Sequence, residues 1–181
     1  MTTTLRWLLG LGLLLSAAAA IAQAEKRYPL ADHGSLVLMV PAGWTEQVRQ
    51  DDKTRPPTIL YSPGGKMQQV MVTPIWRTRP DVPPFSKESV RQNIEQGIKA
   101  IREQALEKEI PIIEFQGKSG AGYYYEATDK APKPGEFKFL RQGMVMVGDL
   151  LVAFSILTND RKDATMVDAM RMLQGAAHAP R

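Results

Sequence analysis

Not one cysteine occurs in the 181 residues. A disulfide framework, a thiolate nucleophile and every cysteine-containing zinc site are therefore excluded. Histidine is nearly as scarce. His33 and His178 stand far apart in the chain, which argues against a His-rich metal centre. Acidic or basic excess is also small: 23 Lys and Arg against 19 Asp and Glu give a formal charge of +4. The two signs are interleaved, except in Arg77-Thr78-Arg79 and around Lys130–Lys138. Nucleic-acid binding would want a denser basic stripe, so none is expected. With 44% hydrophobic and 23% charged residues, the composition is that of an ordinary globular protein and excludes disordered and low-complexity classes. The length suits a single domain, and there is no internal repeat.

The one long apolar run comes first. Arg6 precedes sixteen uncharged, mostly apolar residues, 7–22. Ala22-Gln23-Ala24 then sets small residues at the two positions a signal peptidase reads. Residues 1–24 are expected to be a signal peptide cut between Ala24 and Glu25. As a helix the run would span about 24 Å, short of a hydrocarbon core of roughly 30 Å. Its second half is mostly alanine, and Lys26-Arg27 follow at once, so no integral span is expected after processing. No Arg-Arg pair precedes the run and no cysteine follows it. The expected location is periplasmic or secreted, for a domain over 25–175 followed by a tail, 176–181.

Turn residues and periodicity divide the rest. Pro29 marks Tyr28–Leu30 as a short edge piece, since proline cannot donate to a ladder. Ser35–Val40 is apolar on both parities and predicts a strand buried on both faces, stopped by Pro41-Ala42-Gly43-Trp44. Residues 45–57 are polar and predict a loop. Thr58–Tyr61 and Met67–Thr73 predict a hairpin around Ser62–Lys66. Four prolines in 74–85 predict an extended surface connection. Ser86 then caps a long helix, closed by Pro111, whose apolar stripe is Val90, Ile94, Gly97/Ile98, Ile101 and Ala105. Lys87, Arg91, Glu95, Lys99 and Glu103 form its solvated face. Gly97 lies inside the stripe, at a cost of ~1 kcal/mol against alanine, which predicts close approach to a sheet.

Ile112–Gln116 and Tyr123–Thr128 predict strands on either side of a glycine-rich turn. Phe137–Val147 and Leu150–Thr158 predict a hairpin with Gly148-Asp149 at its tip, glycine first as a type II′ turn requires. That tip fixes the register: Val147 faces Leu150, Val145 faces Val152, Gly143 faces Phe154 and Arg141 faces Ile156. Asn159 or Asp160 caps a last helix, about 161–174, with Met166, Val167, Met170 and Leu173 on its apolar face. Short connections make the sheet mainly antiparallel. Strands apolar on both sides need cover on both. The expected fold is therefore α+β, one antiparallel sheet with helices packed on both faces.

No motif fixes an activity. Gly117-Lys118-Ser119 lacks the glycine four places before Lys118 and the following helix of a phosphate loop. Ser119 is not in a GxSxG turn, because position 121 is alanine. No calcium-loop spacing occurs. Asp51-Asp52 read as solvated loop residues, whereas Glu114 and Glu126 lie on adjacent strands and would serve as paired carboxylates only with a cleft between them. The aromatic candidates for contact are Trp44, Trp76 and the Tyr123/Tyr125 pair. Trp76 stands beside Arg77 and Arg79 at the entry to the proline-rich segment, and Trp with Arg is enriched in binding hot spots.

The element order resembles the PsbP/DcrB-like superfamily. The shared features are a strand running into Pro41-x-Gly43-Trp44, a hairpin, one long amphipathic helix, a glycine turn into an aromatic strand, and a strong hairpin feeding a last helix. That superfamily includes extrinsic photosystem PsbP proteins, a Ran-binding import factor and bacterial envelope DcrB-like proteins. The resemblance implies an accessory or binding protein without a shared catalytic motif, and only the Pro41–Trp44 turn maps residue by residue. The resulting expectation is an exported, non-enzymatic protein, with no cofactor and no metal. It would contact an envelope protein or a cell-wall component through residues 45–57 and 74–85, with Trp76, Arg77, Arg79 and Trp44 as candidate binding residues. The alternatives are a carrier with an apolar pocket between sheet and helix, and a hydrolase using Ser119 or the acidic loops.

Overall fold

The computed structural model describes residues 23–52, 54–64, 67–79, 81–162 and 164–181. The expected signal peptide lies outside them, apart from its last two residues. Strand β1 (Gln23–Pro29) and β2 (Ser35–Pro41) pair antiparallel from Gln23↔Pro41 to Pro29↔Ser35. Gln23 and Ala24 thus extend the edge piece expected at Tyr28–Leu30. A cut before Glu25 would leave the β1–β2 ladder from Glu25↔Met39 onward intact. On β2, Leu36, Leu38 and Val40 are buried while Val37 and Met39 are half-buried. The strand is buried on one face, not two, because the small sheet it belongs to packs through that face alone.

Two elements were not expected. Residues 44–49 form β3 (Trp44–Arg49), the edge strand of the large sheet, paired with β4 (Thr58–Pro63). Five of its six side chains are exposed, so no alternation marks it; backbone pairing alone makes it a strand. Ala177–Ala179 form β10, antiparallel to β2. The expected tail is therefore the third strand of the small sheet, ordered β1-β2-β10.

The large sheet runs β3-β4-β5-β9-β8-β7-β6, with β5 at Gln68–Ile75, β6 at Ile113–Gln116, β7 at Ala121–Thr128, β8 at Phe139–Val147 and β9 at Leu150–Thr158. Every ladder is antiparallel. The β8–β9 register is the expected one, from Val147↔Leu150 through Val145↔Val152 and Gly143↔Phe154 to Arg141↔Ile156. At its tip only Gly148 has positive φ, +59°, as the glycine-first turn demands. Pro74 lies in β5 opposite Val152, beyond the Ile59↔Val72 end of the β4 pairing. There it interrupts no ladder on that side.

Side-chain alternation divides the core in two. Val145, Val147, Leu150, Val152, Phe154 and Ile156 join Leu36, Leu38, Val70, Val72 and Trp76 in one cluster. Met144, Met146 and Leu151, of opposite parity, join Tyr123, Tyr125 and helix α1 (Lys87–Ile101) in the other. Helix α2 (Ala164–Gln174) adds Met166, Ala169, Met170, Met172 and Leu173 to the first cluster and touches β2. Among the described residues the architecture is mostly antiparallel β in two sheets with two helices, in one domain. A single sheet between helices was expected; instead the small sheet does much of the covering.

Both helices are shorter than expected. Ser86 caps α1 in a reciprocal box with Ser89, a pattern that satisfies two orphan amides. The helix gives way after Ile101, whose carbonyl is shared between the amides of Gln104 and Ala105, an arrangement common at helix ends. Ala105 then bridges Asp129 instead of extending the stripe to Pro111. The Asn159 carboxamide accepts from the Lys138 amide, and Asp160 accepts from the Lys162 amide, so neither caps α2 at 161. Val167, expected on the apolar face, is 58% exposed, and Ala169 and Met172 are buried in its stead. Gly97 does face the sheet: a methyl group there would lie 3.3 Å from Tyr125 Cε1.

Candidate cleft at the hairpin end of the sheet

Four segments distant in sequence converge where β5 leaves the sheet. The first is the β1–β2 turn. The Leu30 amide donates to the Gly34 carbonyl and the His33 amide to the Leu30 carbonyl. This tight loop holds Ala31 at φ +45°, the one non-glycine residue with positive φ among the described residues. Such strain costs on the order of 1–2 kcal/mol. The second segment is Trp76–Arg79, directly after β5. The third is the Gly148-Asp149 tip, and the fourth is β10 with Pro180 and Arg181.

Gly34 and Gly148 let the fourth segment dock. A methyl group on Gly34 (φ +72°) would lie 2.1 Å from the Ala179 carbonyl oxygen. One on Gly148 would lie 3.0 Å from His178 Cβ. Gly34 thus leaves room for the backbone of β10, and Gly148 for the His178 side chain. Its ladder, Leu36↔His178 and Ser35↔Ala179, brings together the two histidines that the sequence separates. His178 Nε2 lies 2.8 Å from the His33 carbonyl oxygen. The His33 ring stacks on Trp76, centroids 4.8 Å apart and planes 26° from parallel.

The result is an open cleft of about 500 Å³, lined among others by Asp32, His33, Trp76, Arg77, Arg79 and Arg181. Trp76 is buried, 7% exposed, and forms its base. Arg77 donates through Nη1 to the Val82 carbonyl at 3.1 Å, which fixes the guanidinium while leaving its other donors. Arg79 lies 3.5 Å from Asp81, and both side chains are largely exposed. Arg181 donates to Asp32 Oδ1 at 2.8 Å and to the Ala31 carbonyl at 3.0 Å.

Three of the four expected contact residues, Trp76, Arg77 and Arg79, therefore share one site. Trp44 does not. It pairs with Pro63, toward the Gln68 end of the sheet, whereas Trp76 follows the opposite end of β5. Trp44 packs half-buried against Tyr61, 6.1 Å between centroids. Missed by the sequence reading were His33, His178, Asp32 and Arg181. The one available signal was Gly34 within Asp32-His33-Gly34; nothing local marks a tripeptide strand at 177–179.

The other constellations stay apart. Glu114 pairs across the sheet with Tyr123 and binds Lys87 at 3.0 Å. Glu126 lies opposite Arg141 and is ion-paired with it. Ser119 is exposed in the β6–β7 turn. The Asp52 carboxyl is held below its usual range by the Thr54 amide in a fully exposed loop. A second cavity, of about 150 Å³, lies between the end of α1 and β7–β8, lined by Ile101, Ala127 and Leu140. Among the described residues no three metal-ligating side chains come together. No helix there is long and apolar enough to cross a membrane.

No family model and no curated protein matches the chain. Solved structures do. A crystal structure from Bacteroides thetaiotaomicron VPI-5482 matches 88% of this chain with a TM-score of 0.55 at 9% identity. The match takes in 50% of that chain, so the present chain spans about half its length. The solution structure of cyanobacterial PsbP (CyanoP) from Synechocystis sp. PCC 6803 matches over 90% of this chain and 96% of its own, with a TM-score of 0.49 at 13% identity. At 9% identity the likeness to the Bacteroides structure is one of fold.

Proposed function

We propose that this chain is an exported, non-enzymatic accessory protein that binds an envelope protein or a cell-wall component through the cleft at the hairpin end of its sheet. One observation carries the reading. Trp76, Arg77 and Arg79 meet His33, His178 and Arg181 in one open cleft of about 500 Å³, within the size range of ligand sites. A stacked aromatic base with several guanidinium groups supplies apolar contact and charge-assisted hydrogen bonds together. The strained Ala31 beside it fits the tendency of such residues to gather at functional sites.

The non-enzymatic reading is supported by the carboxylates. Glu114 and Glu126 are each engaged by their own cation, so neither is poised beside the other for acid–base work. A carrier role would use the cavity beside α1, but about 150 Å³ falls below the several hundred Å³ usual for ligand pockets. Export rests on the leader-like residues 1–24. Cleavage before Glu25 leaves β1 able to pair from Glu25 to Pro29.

The test is a pull-down from envelope extract, comparing the protein with an Arg77→Ala/Arg79→Ala variant of equal melting temperature. The expected result is loss of specific partners by the variant. Recovery of the same partners at the same yield would exclude this surface.

A further inference from the structure

We infer that the cleft takes an oxyanion borne by its ligand, a carboxylate or phosphate gripped by Arg77 and Arg181, and that the Asp32 carboxylate is the group this oxyanion displaces. The inference rests on reading the cleft as the contact site and specifies the chemistry it selects. Arg77, Arg79 and Arg181 line the cleft, against Asp32 and Asp149 as the acids among its lining residues. Arg77 is anchored by one nitrogen on the Val82 carbonyl. A guanidinium has five donors in a planar fork, so an anchored one presents further donors at little entropic cost.

Arg181 already shows what it accepts. It holds the Asp32 carboxylate at 2.8 Å and the Ala31 carbonyl at 3.0 Å. The Asp32 and Arg181 side chains are 84% and 67% exposed. Exposed pairs of this kind contribute little net stability, so an incoming oxyanion exchanges with Asp32 cheaply. The His33–Trp76 stack forms an apolar base beside the guanidiniums. A volume of about 500 Å³ exceeds that of a bare ion, so the oxyanion belongs to a larger molecule.

The experiment is a titration of the purified protein at low salt, followed by calorimetry and by amide chemical shifts. Three probes are used: a short glutamate-rich peptide, inorganic phosphate, and an uncharged peptide of the same length. The peptide and phosphate arms separate carboxylate from phosphate recognition. The expected result is saturable binding of an anionic probe, with shifts at His33, Arg77 and His178, weakened by salt. Asp32→Asn should bind roughly threefold more tightly, the worth of one exposed ion pair. Arg77→Ala should bind roughly tenfold more weakly, as loss of a charged hydrogen bond implies. Should Arg77→Ala fail to fold, the exposed Arg181→Ala carries the same expectation. Equal binding of the uncharged peptide, no gain in Asp32→Asn, or shifts away from the cleft would overturn the inference. If anionic probes do not bind while the pull-down still depends on Arg77 and Arg79, the oxyanion inference fails and the binding reading stands. If the pull-down is also indifferent to both arginines, the binding reading fails too.

Discussion

At Gly34 a methyl group has nowhere to go. Its backbone sits at φ +72°, and an added Cβ would meet the Ala179 oxygen at 2.1 Å and Pro180 Cα at 2.9 Å. Gly34→Ala should therefore push β10 off β2 and destabilise the fold by on the order of 1–3 kcal/mol. Hydrogen exchange checks this: the amides at positions 177 and 179, which face β2 in the alternating ladder, should lose protection while the β8–β9 ladder keeps its own. Unchanged protection there would mean that the turn adjusts instead. Gly97 differs, because its neighbour is the Tyr125 ring at 3.3 Å. Alanine is tight there; Gly97→Leu overpacks, and a loss of about 1–3 kcal/mol in denaturant unfolding is expected. No change in midpoint would contradict the packing. Glu107 sets a pH dependence. Burial pushes its carboxyl up, but hydrogen bonds from the Thr128 hydroxyl and amide and from Arg161 outweigh burial and hold it below the ordinary range. A depressed carboxylate stabilises the fold above the unfolded value, roughly pH 4.3, and that contribution is lost as pH falls through the folded value. Glu107→Gln should flatten the acid limb of the melting-temperature profile; parallel profiles would contradict the assignment.

Among the elements, those with a local punctuation mark were legible. Gly148-Asp149 set the β8–β9 register from Val147↔Leu150 to Arg141↔Ile156, because a two-residue turn leaves no freedom for slippage. Ser86 and Ser89 marked the start of α1. Ser86→Ala should cost about 1 kcal/mol, seen as a lower midpoint with unchanged slope. The unread elements lack any such mark. β3 is exposed on both faces, so its polar side chains spell a loop while its backbone pairs with β4. β10 is three residues long, and its pairing with β2 is a contact between chain positions some 140 apart, invisible to any local window. The end of α1 was overrun because Ala105 fits the helical stripe, whereas its backbone is claimed by the bridge to Asp129. For the site, Trp76, Arg77 and Arg79 were legible as neighbours in sequence. His178 and Arg181 were not, since only β10 brings them there.

Across the whole molecule, the two sheets are joined by a hydroxyl relay as well as by apolar packing. Tyr61 donates to the Tyr28 hydroxyl at 2.8 Å, and Tyr28 donates to Glu46. Burial, followed by the Glu46 carboxylate for Tyr28 and the Tyr28 hydroxyl for Tyr61, raises both phenols far above their usual range. The relay spans β1 of the small sheet and β3 and β4 of the large one, and keeps the small sheet seated. At the other end of that sheet, the β1–β2 turn and β10 form two walls of the cleft, so the seating of the small sheet and the shape of the site are one structural matter. Site-specific photo-cross-linking in growing cells tests this most directly. A photoreactive residue is placed at Thr78, in the cleft wall, and for comparison at Gln92, on the exposed face of α1. The account predicts a discrete adduct from position 78 that disappears when Arg77 and Arg79 are both changed to alanine, and none of the same mass from position 92. Identical adducts from the two positions, or an adduct at 78 indifferent to both arginines, would contradict it.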